Sequence, residues 1–252
     1  MTKWARRLPL HPVLGRARRA WLALCLLIGV PAAGLADIQS ARFIGPTTHY
    51  DHGILGDAVE YSGMVVTLSG GRRFLVGHSE GERVFEDTAP RLWDVTGDGA
   101  PEVVVIETDP PRGAQLAIYG EVAGRIEKIA ATPHIGQTHR WLAPIGAADL
   151  DGDGHIELAY IDRPHLAKTL RIWRYQDGKL LHVADHKGLT NHRIGWTHIP
   201  GGLRNCNGSE LVTANADWTR IMATRFDGKT AQPRDIGPHK GPESLNAALR
   251  CK

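Results

Sequence analysis

The chain has 252 residues, with 30 Lys and Arg against 27 Asp and Glu, a formal charge of +3. Six basic residues (Lys3, Arg6, Arg7, Arg16, Arg18, Arg19) and no acidic one lie in residues 1–36, so the remainder carries −3. That balance excludes a broad basic footprint for nucleic acid or an anionic membrane, and the remaining length suffices for one well-buried domain.

In chain order, "MTKWARRLPLHPVLGRARRA" is basic, "WLALCLLIGV" is apolar and "PAAGLA" ends in small residues. This is the pattern of a secretory signal peptide, with cleavage expected between Ala36 and Asp37. The apolar run is too short for a stable membrane anchor. Arg18 and Arg19 weakly resemble a twin-arginine export signal. The expected destination is periplasmic or extracellular. Cys206 and Cys251 remain after cleavage, and an oxidising compartment favours a disulfide between them.

From residue 37 onward the pattern is β. Short runs rich in Val, Ile, Tyr and Trp alternate with Gly, Asp and Asn turns: "EVVVIETD" (102–109), "AQLAIYG" (114–120), "ELAYID" (157–162), "TLRIWRYQ" (169–176) and "RIMATRFD" (220–227). Only "ESLNAALR", near the end, suggests a short helix.

These runs repeat. "LWDVTGDGAPEVVVIETD" starts an acidic loop at Asp94, and "AADLDGDGHIELAYID" starts another at Asp149. A decayed copy, "GGLRNCNGSELVTANAD", puts Leu203 where the first aspartate belongs. "HGILGDAVEYSGMVVTL" fits as a fourth copy, with Glu60 in the place of Glu102. Four-stranded units at a period of about 54 residues read as β-propeller blades. The expected fold is all-β, a small propeller of four four-stranded blades at 45–88, 89–137, 138–190 and 191–240, within one domain spanning 37–252. "IQSARFI" (38–44) is expected to add a strand to the last blade and latch the ring. The alternative is an open array completed by a second copy.

The acidic loops have a chemistry of their own. Asp149, Asp151 and Asp153 alternate, so three side-chain oxygens turn inward as the chain wraps a hard cation. Gly154 permits the sharp turn, the backbone carbonyl of His155 adds an oxygen, and Glu157 closes the set at position 9. In an EF-hand the closing glutamate stands at position 12, between helices; here position 12 is Tyr160 and the flanks are strands. Asp94, Thr96, Asp98, Ala100 and Glu102 form the second set, weaker because Thr96 carries no charge.

This pattern resembles the FG-GAP or VCBS repeat, the blade of integrin α-subunit-like propellers, which carries D-x-D/N-x-D/N-G-x-x-D/E between a blade's first two strands. The resemblance implies Ca2+ at both sets and none at the decayed copies near 57–60 and 205–210. It also implies an interaction module and no catalysis.

Two rival chemistries have local support. "VGHSEGE" (76–82) contains the G-x-S-x-G pattern of a hydrolase nucleophile elbow around Ser79, yet no convincing helix follows, and "GHSEGERVF" reads as a hairpin between a blade's third and fourth strands. "HYDH" (49–52) and "HVADH" (182–186) invite zinc, but the second lies at a strand end, where positions i and i+4 share no helical face.

A positional pattern is more informative. His139, Arg140 and Trp141 precede one repeat's first strand, His192 and Arg193 another's, and His49 and Tyr50 hold a comparable place in the first. In a propeller these residues gather around the axis, on the face away from the acidic loops. There they would hold a saccharide, a small anion or a protein partner. The reading is therefore an exported, calcium-binding interaction module of undetermined ligand. The alternatives are a hydrolase using that face or Ser79, and a self-associating structural or adhesive subunit.

Overall fold

The computed structural model describes residues 37–79 and 81–251. The segment 1–36, expected to be a signal peptide, lies outside the described residues. Among the described residues, seventeen strands and one short helix follow one another. The first eight strands are β1 (Ile38–Thr47), β2 (Glu60–Leu68), β3 (Arg73–Gly77), β4 (Val84–Phe85), β5 (Arg91–Trp93), β6 (Glu102–Asp109), β7 (Gly113–Val122) and β8 (Arg125–Ala131). They form one antiparallel sheet. A four-stranded meander holds β9 (Leu142–Ala148), β10 (Ile156–Asp162), β11 (Thr169–Gln176) and β12 (Lys179–Lys187). The third sheet holds β13 (Leu189–Thr190), β14 (Gly202–Asn205), β15 (Ser209–Asn215), β16 (Arg220–Phe226) and β17 (Ala231–Pro238). The helix α1 (Pro242–Ala248) buries Leu245 and Ala248 against Val212, Ala214 and Ile221 of the third sheet.

The pleat explains where the core sits. Both faces of β6 and most of β7 are covered, which is why "EVVVI" is a continuous apolar run rather than an alternating one. One core cluster runs from Ile54 through Val104 and Ile118 to Trp141, Leu158 and Leu211. It therefore joins residues of all three sheets. At Gly146 of β9, an added Cβ would lie 2.9 Å from the Cβ of Leu203 on β14, so glycine sets the approach of the second and third sheets. A buried carboxylate on β6, Glu107, is matched by Gln115 at 2.7 Å, Lys128 at 2.5 Å and Arg83 at 3.2 Å. That satisfaction lets a charge sit inside the sheet.

The chain is all-β, in sheets of eight, four and five strands whose strand order is open; the 138–190 repeat is the four-stranded meander β9 to β12, and these sheets do not by themselves close a ring of four blades. Three local expectations are corrected. Val84 and Phe85, expected in a hairpin closing the first repeat, cross instead to β6, pairing with Thr108 and Glu107. Phe85 is fully buried and stacks with Phe43, so the crossing strand is drawn in by the core of the first sheet. The first repeat is left with three strands, β1 to β3, and begins before residue 45.

The segment 38–44 does not latch the last blade either. It pairs along its length with β2, from Ile38 opposite Leu68 to Thr47 opposite Glu60. Nor does Glu60 stand where Glu102 does. Tyr61 pairs with Phe85, and Phe85 with Glu107, near the end of β6 remote from Glu102. Glu60 thus lies at the opposite end of the strands from the acidic loops.

Candidate functional site

The acidic loops occupy the hairpins between β5 and β6 and between β9 and β10. In each, the first aspartate organises the turn. Asp149 accepts the N–H groups of Gly152 at 2.7 Å and Gly154 at 3.1 Å. Asp94 does the same for Gly97 at 2.7 Å and Gly99 at 3.0 Å. Gly99 and Gly154 adopt φ of 90° and 89°, which other residues rarely take. The glutamates are buried and act as staples. Glu157 accepts the Leu150 N–H at 2.9 Å, and Glu102 accepts those of Val95 at 2.8 Å and Thr96 at 3.2 Å. Burial raises both carboxyls above their ordinary range, against these hydrogen bonds.

Oxygen atoms of Asp149, Asp151 and Asp153 lie within 4.8 Å of one another. That matches twice a Ca–O bond of about 2.3–2.6 Å, so the donors and their spacing fit a hard cation. One feature competes. The Arg174 guanidinium reaches Asp151 at 2.5 Å, Asp153 at 2.7 Å and Glu157 at 2.6 Å. Thr96 Oγ1 is 3.4 Å from Glu102, and the amides of His155 and Ala100 cap Asp153 and Asp98 at 2.9 Å and 2.8 Å.

At the opposite end of the strands lies a second constellation. The long connection between β1 and β2 carries Tyr50, His52 and Ile54. The Tyr50 hydroxyl accepts the His139 N–H at 2.7 Å, and the His139 ring packs 5.1 Å from Tyr50 and 5.3 Å from His52. Trp141 is buried, donates its indole N–H to the Glu86 carbonyl at 2.7 Å, and meets the His192 ring edge-on at 4.9 Å.

The histidine tautomers follow from their partners. His192 Nε2 lies 2.8 Å from the Trp196 carbonyl, which only accepts, so Nε2 carries the proton. His192 Nδ1 then accepts from His165 Nε2 at 3.3 Å. Burial pulls His52, His165 and His192 down to about 4, so all three rings are neutral at physiological pH. Burial pushes Glu86 up to about 8, and a neutral carboxyl there donates to His52 Nδ1 while Thr108 donates to its other oxygen at 2.6 Å. Burial together with Glu86 pushes Glu60 up to about 9.

Two of these groups, His52 and His165, help to wall a cavity of about 170 Å³. His139, Arg140, Trp141 and His165 line it, with Leu166 and Ile194, which are 65% and 69% exposed. Arg163 also lines it but is held by Asp162 at 2.7 and 3.0 Å. Arg140 donates to the His139 carbonyl at 2.7 Å and, among the described residues, has no carboxylate within ion-pair range.

The structure therefore brings together Tyr50, His139, Arg140, Trp141 and His192. Arg193 stands apart, its guanidinium 4.8 Å over the Trp218 ring, reached from His192 through Trp196. His49 lines a different cavity, with His78, Ser79 and Arg83. Ser79 follows β3 without any helix after it, so the strand–turn–helix context of a nucleophile elbow is missing there. His182 pairs with Asp185 at 2.7 Å. Cys206 and Cys251 are joined by a disulfide with Cα atoms 5.6 Å apart.

Sequence reasoning missed Arg163, His165, Leu166, Glu86 and Ile194. "RPHL" (163–166) follows the second strand of its repeat without any spacing shared by its neighbours, so no periodic signal marks it.

Residues 94–160 match a family model described as FG-GAP-like repeat. The match runs from the first acidic loop through the second and onto β10. The match supports an FG-GAP-type repeat over these residues, a repeat whose family is typically non-enzymatic. No curated protein matches the chain.

Proposed function

We propose that this protein is an exported β-propeller-like interaction module that receives an anionic group of its partner in the cavity at Arg140. The observation that carries this reading is the pairing of a guanidinium that has no carboxylate partner among the described residues with two exposed aliphatic side chains, Leu166 and Ile194, over a buried wall. A charged donor beside apolar surface suits a small organic anion or a carboxylate-bearing segment of a protein. At about 170 Å³ the cavity is smaller than drug-sized sites of roughly 300–1,000 Å³, so it suits one side chain or a compact acid. Saccharide stacking has less support, because Trp141 presents almost no open face.

Calcium belongs to the scaffold in this reading. The oxygen donors of the 149–157 and 94–102 hairpins lie at the far end of the strands, where a bound ion would pin a turn rather than meet a partner.

The test is thermal-shift screening of the mature protein against small aliphatic and aromatic carboxylates, followed by titration of any hit. Arg140→Ala and Leu166→Asp are each expected to weaken binding about 10-fold or more, given the ~1.5–3 kcal/mol of a charged hydrogen bond. Hits whose affinity is unchanged in both variants would remove this face as the binding site.

A further inference from the structure

The two acidic hairpins differ in one respect that their sequences conceal. Register places Arg174 of β11 directly opposite Glu157. From there it spans Asp151, Asp153 and Glu157, and its side chain is only 16% exposed. In the preceding repeat Val103 pairs with Tyr119, so Gly120 is the residue beside Glu102. A Cβ on Gly120 would lie 3.6 Å from the Glu102 side chain, and among the described residues no guanidinium pairs with the acids of that loop. In the last repeat Leu211 pairs with Thr224, so Arg225 takes the corresponding place. It contacts Glu210 at 2.9 Å, beside Arg204 at 2.6 Å, and here the loop aspartates are gone.

The three repeats form a series. One has acids and no arginine, one has acids and arginine, and one has arginine without the loop acids. The same position on the third strand of the repeat therefore exchanges with the cation as the positive partner of the closing glutamate. We infer that Arg174 is a built-in counter-cation of the 149–157 hairpin. That loop, the fullest match to the calcium pattern, closes on its own arginine, and the 94–102 hairpin is the one left to an external ion. The inference rests on the reading that such loops take calcium, and it reverses the ranking the motif suggests. A guanidinium and a divalent ion need the same oxygens of Asp151, Asp153 and Glu157, so either excludes the other.

The experiment compares melting of the wild type, Arg174→Gln, Arg174→Lys and Arg174→Gln with Asp149→Asn, each in EDTA and in millimolar calcium. In EDTA, Arg174→Gln is expected to melt lower than wild type by about 3 °C or more, because the carboxylates lose their partner. Calcium is expected to restore it, and to restore much less when Asp149→Asn is added. Arg174→Lys, which keeps one charge and most of the stem, is expected to fall between. Calcium titration should find one site in wild type and a second in Arg174→Gln. Equal melting of wild type, Arg174→Gln and Arg174→Lys in EDTA would overturn the inference, as would two wild-type sites unaffected by Arg174→Gln. A loss in EDTA that calcium fails to restore would leave the arginine clamp standing and sink the calcium reading instead.

Discussion

The phenolic oxygen of Tyr50 accepts the backbone N–H of His139 at 2.7 Å, across 89 positions of sequence. This bond ties the connection between β1 and β2 to the entry of β9, and so joins the first sheet to the second beside the Arg140 cavity. Tyr50 is 3% exposed, and its hydroxyl, pushed up to about 12 chiefly by burial, stays protonated. Tyr50→Phe keeps the ring and removes the acceptor. It should cost about 1 kcal/mol, readable as a shift in the denaturant midpoint at constant slope. A variant as stable as wild type would show that water replaces the hydroxyl.

The buried titratable groups beneath that cavity set an expected pH profile. Glu60 and Glu86 are raised from 4.5 to about 9 and about 8. Their contribution is present at low pH and is lost as pH rises through those values. His52, His165 and His192 are lowered from 6.5 to about 4, so their contribution is present above 6.5 and is lost as pH falls toward 4. The two effects oppose one another between 4.5 and 6.5, and above that only the carboxylate arm remains. Melting temperature should therefore decline between about pH 7 and 9, an unusual alkaline arm for a protein of ordinary carboxylates. Glu60→Gln should flatten it in a melting series over that range; an unchanged slope would assign the decline to other groups.

The disulfide between Cys206 and Cys251 spans 45 positions and fastens the end of the chain, just beyond α1, to the turn after β14. Loop-closure entropy for that span is worth about 4 kcal/mol. Paired Cys206→Ser and Cys251→Ser should lower the melting temperature by roughly 8–16 °C for a chain of this size, provided the domain unfolds in one step. The protein under reducing conditions should match the double variant.

Gly146→Ala tests how closely the second and third sheets pack. The new Cβ would fall 2.9 Å from the Cβ of Leu203, so one strand must move. A loss of about 1–3 kcal/mol is expected. Leu203→Ala combined with it should recover part of that loss if the clash is the cause, which a double-mutant cycle measures.

Local order was legible in the sequence wherever a short-range rule applied. Alternation and turn residues marked most of the strands, and the nine-residue acidic pattern located both hairpins, because a turn that folds aspartates around its own amides needs only neighbouring residues. The period near 54 residues revealed the repeats for the same reason.

Tertiary structure decided what depends on residues far apart in the chain. Val84 and Phe85 look like the end of a hairpin, but the ring of Phe85 has a better berth against Phe43 and the strand crosses to β6. His49 and Tyr50 are adjacent in sequence, yet one lines the Ser79 cavity and the other meets His139. Arg174 lies 23 positions from Asp151 and carries no motif, and only cross-strand register brings it into the acidic loop. Sequence pattern reports the period of a strand and the chemistry of a turn; which cation a carboxylate meets is decided by packing between strands.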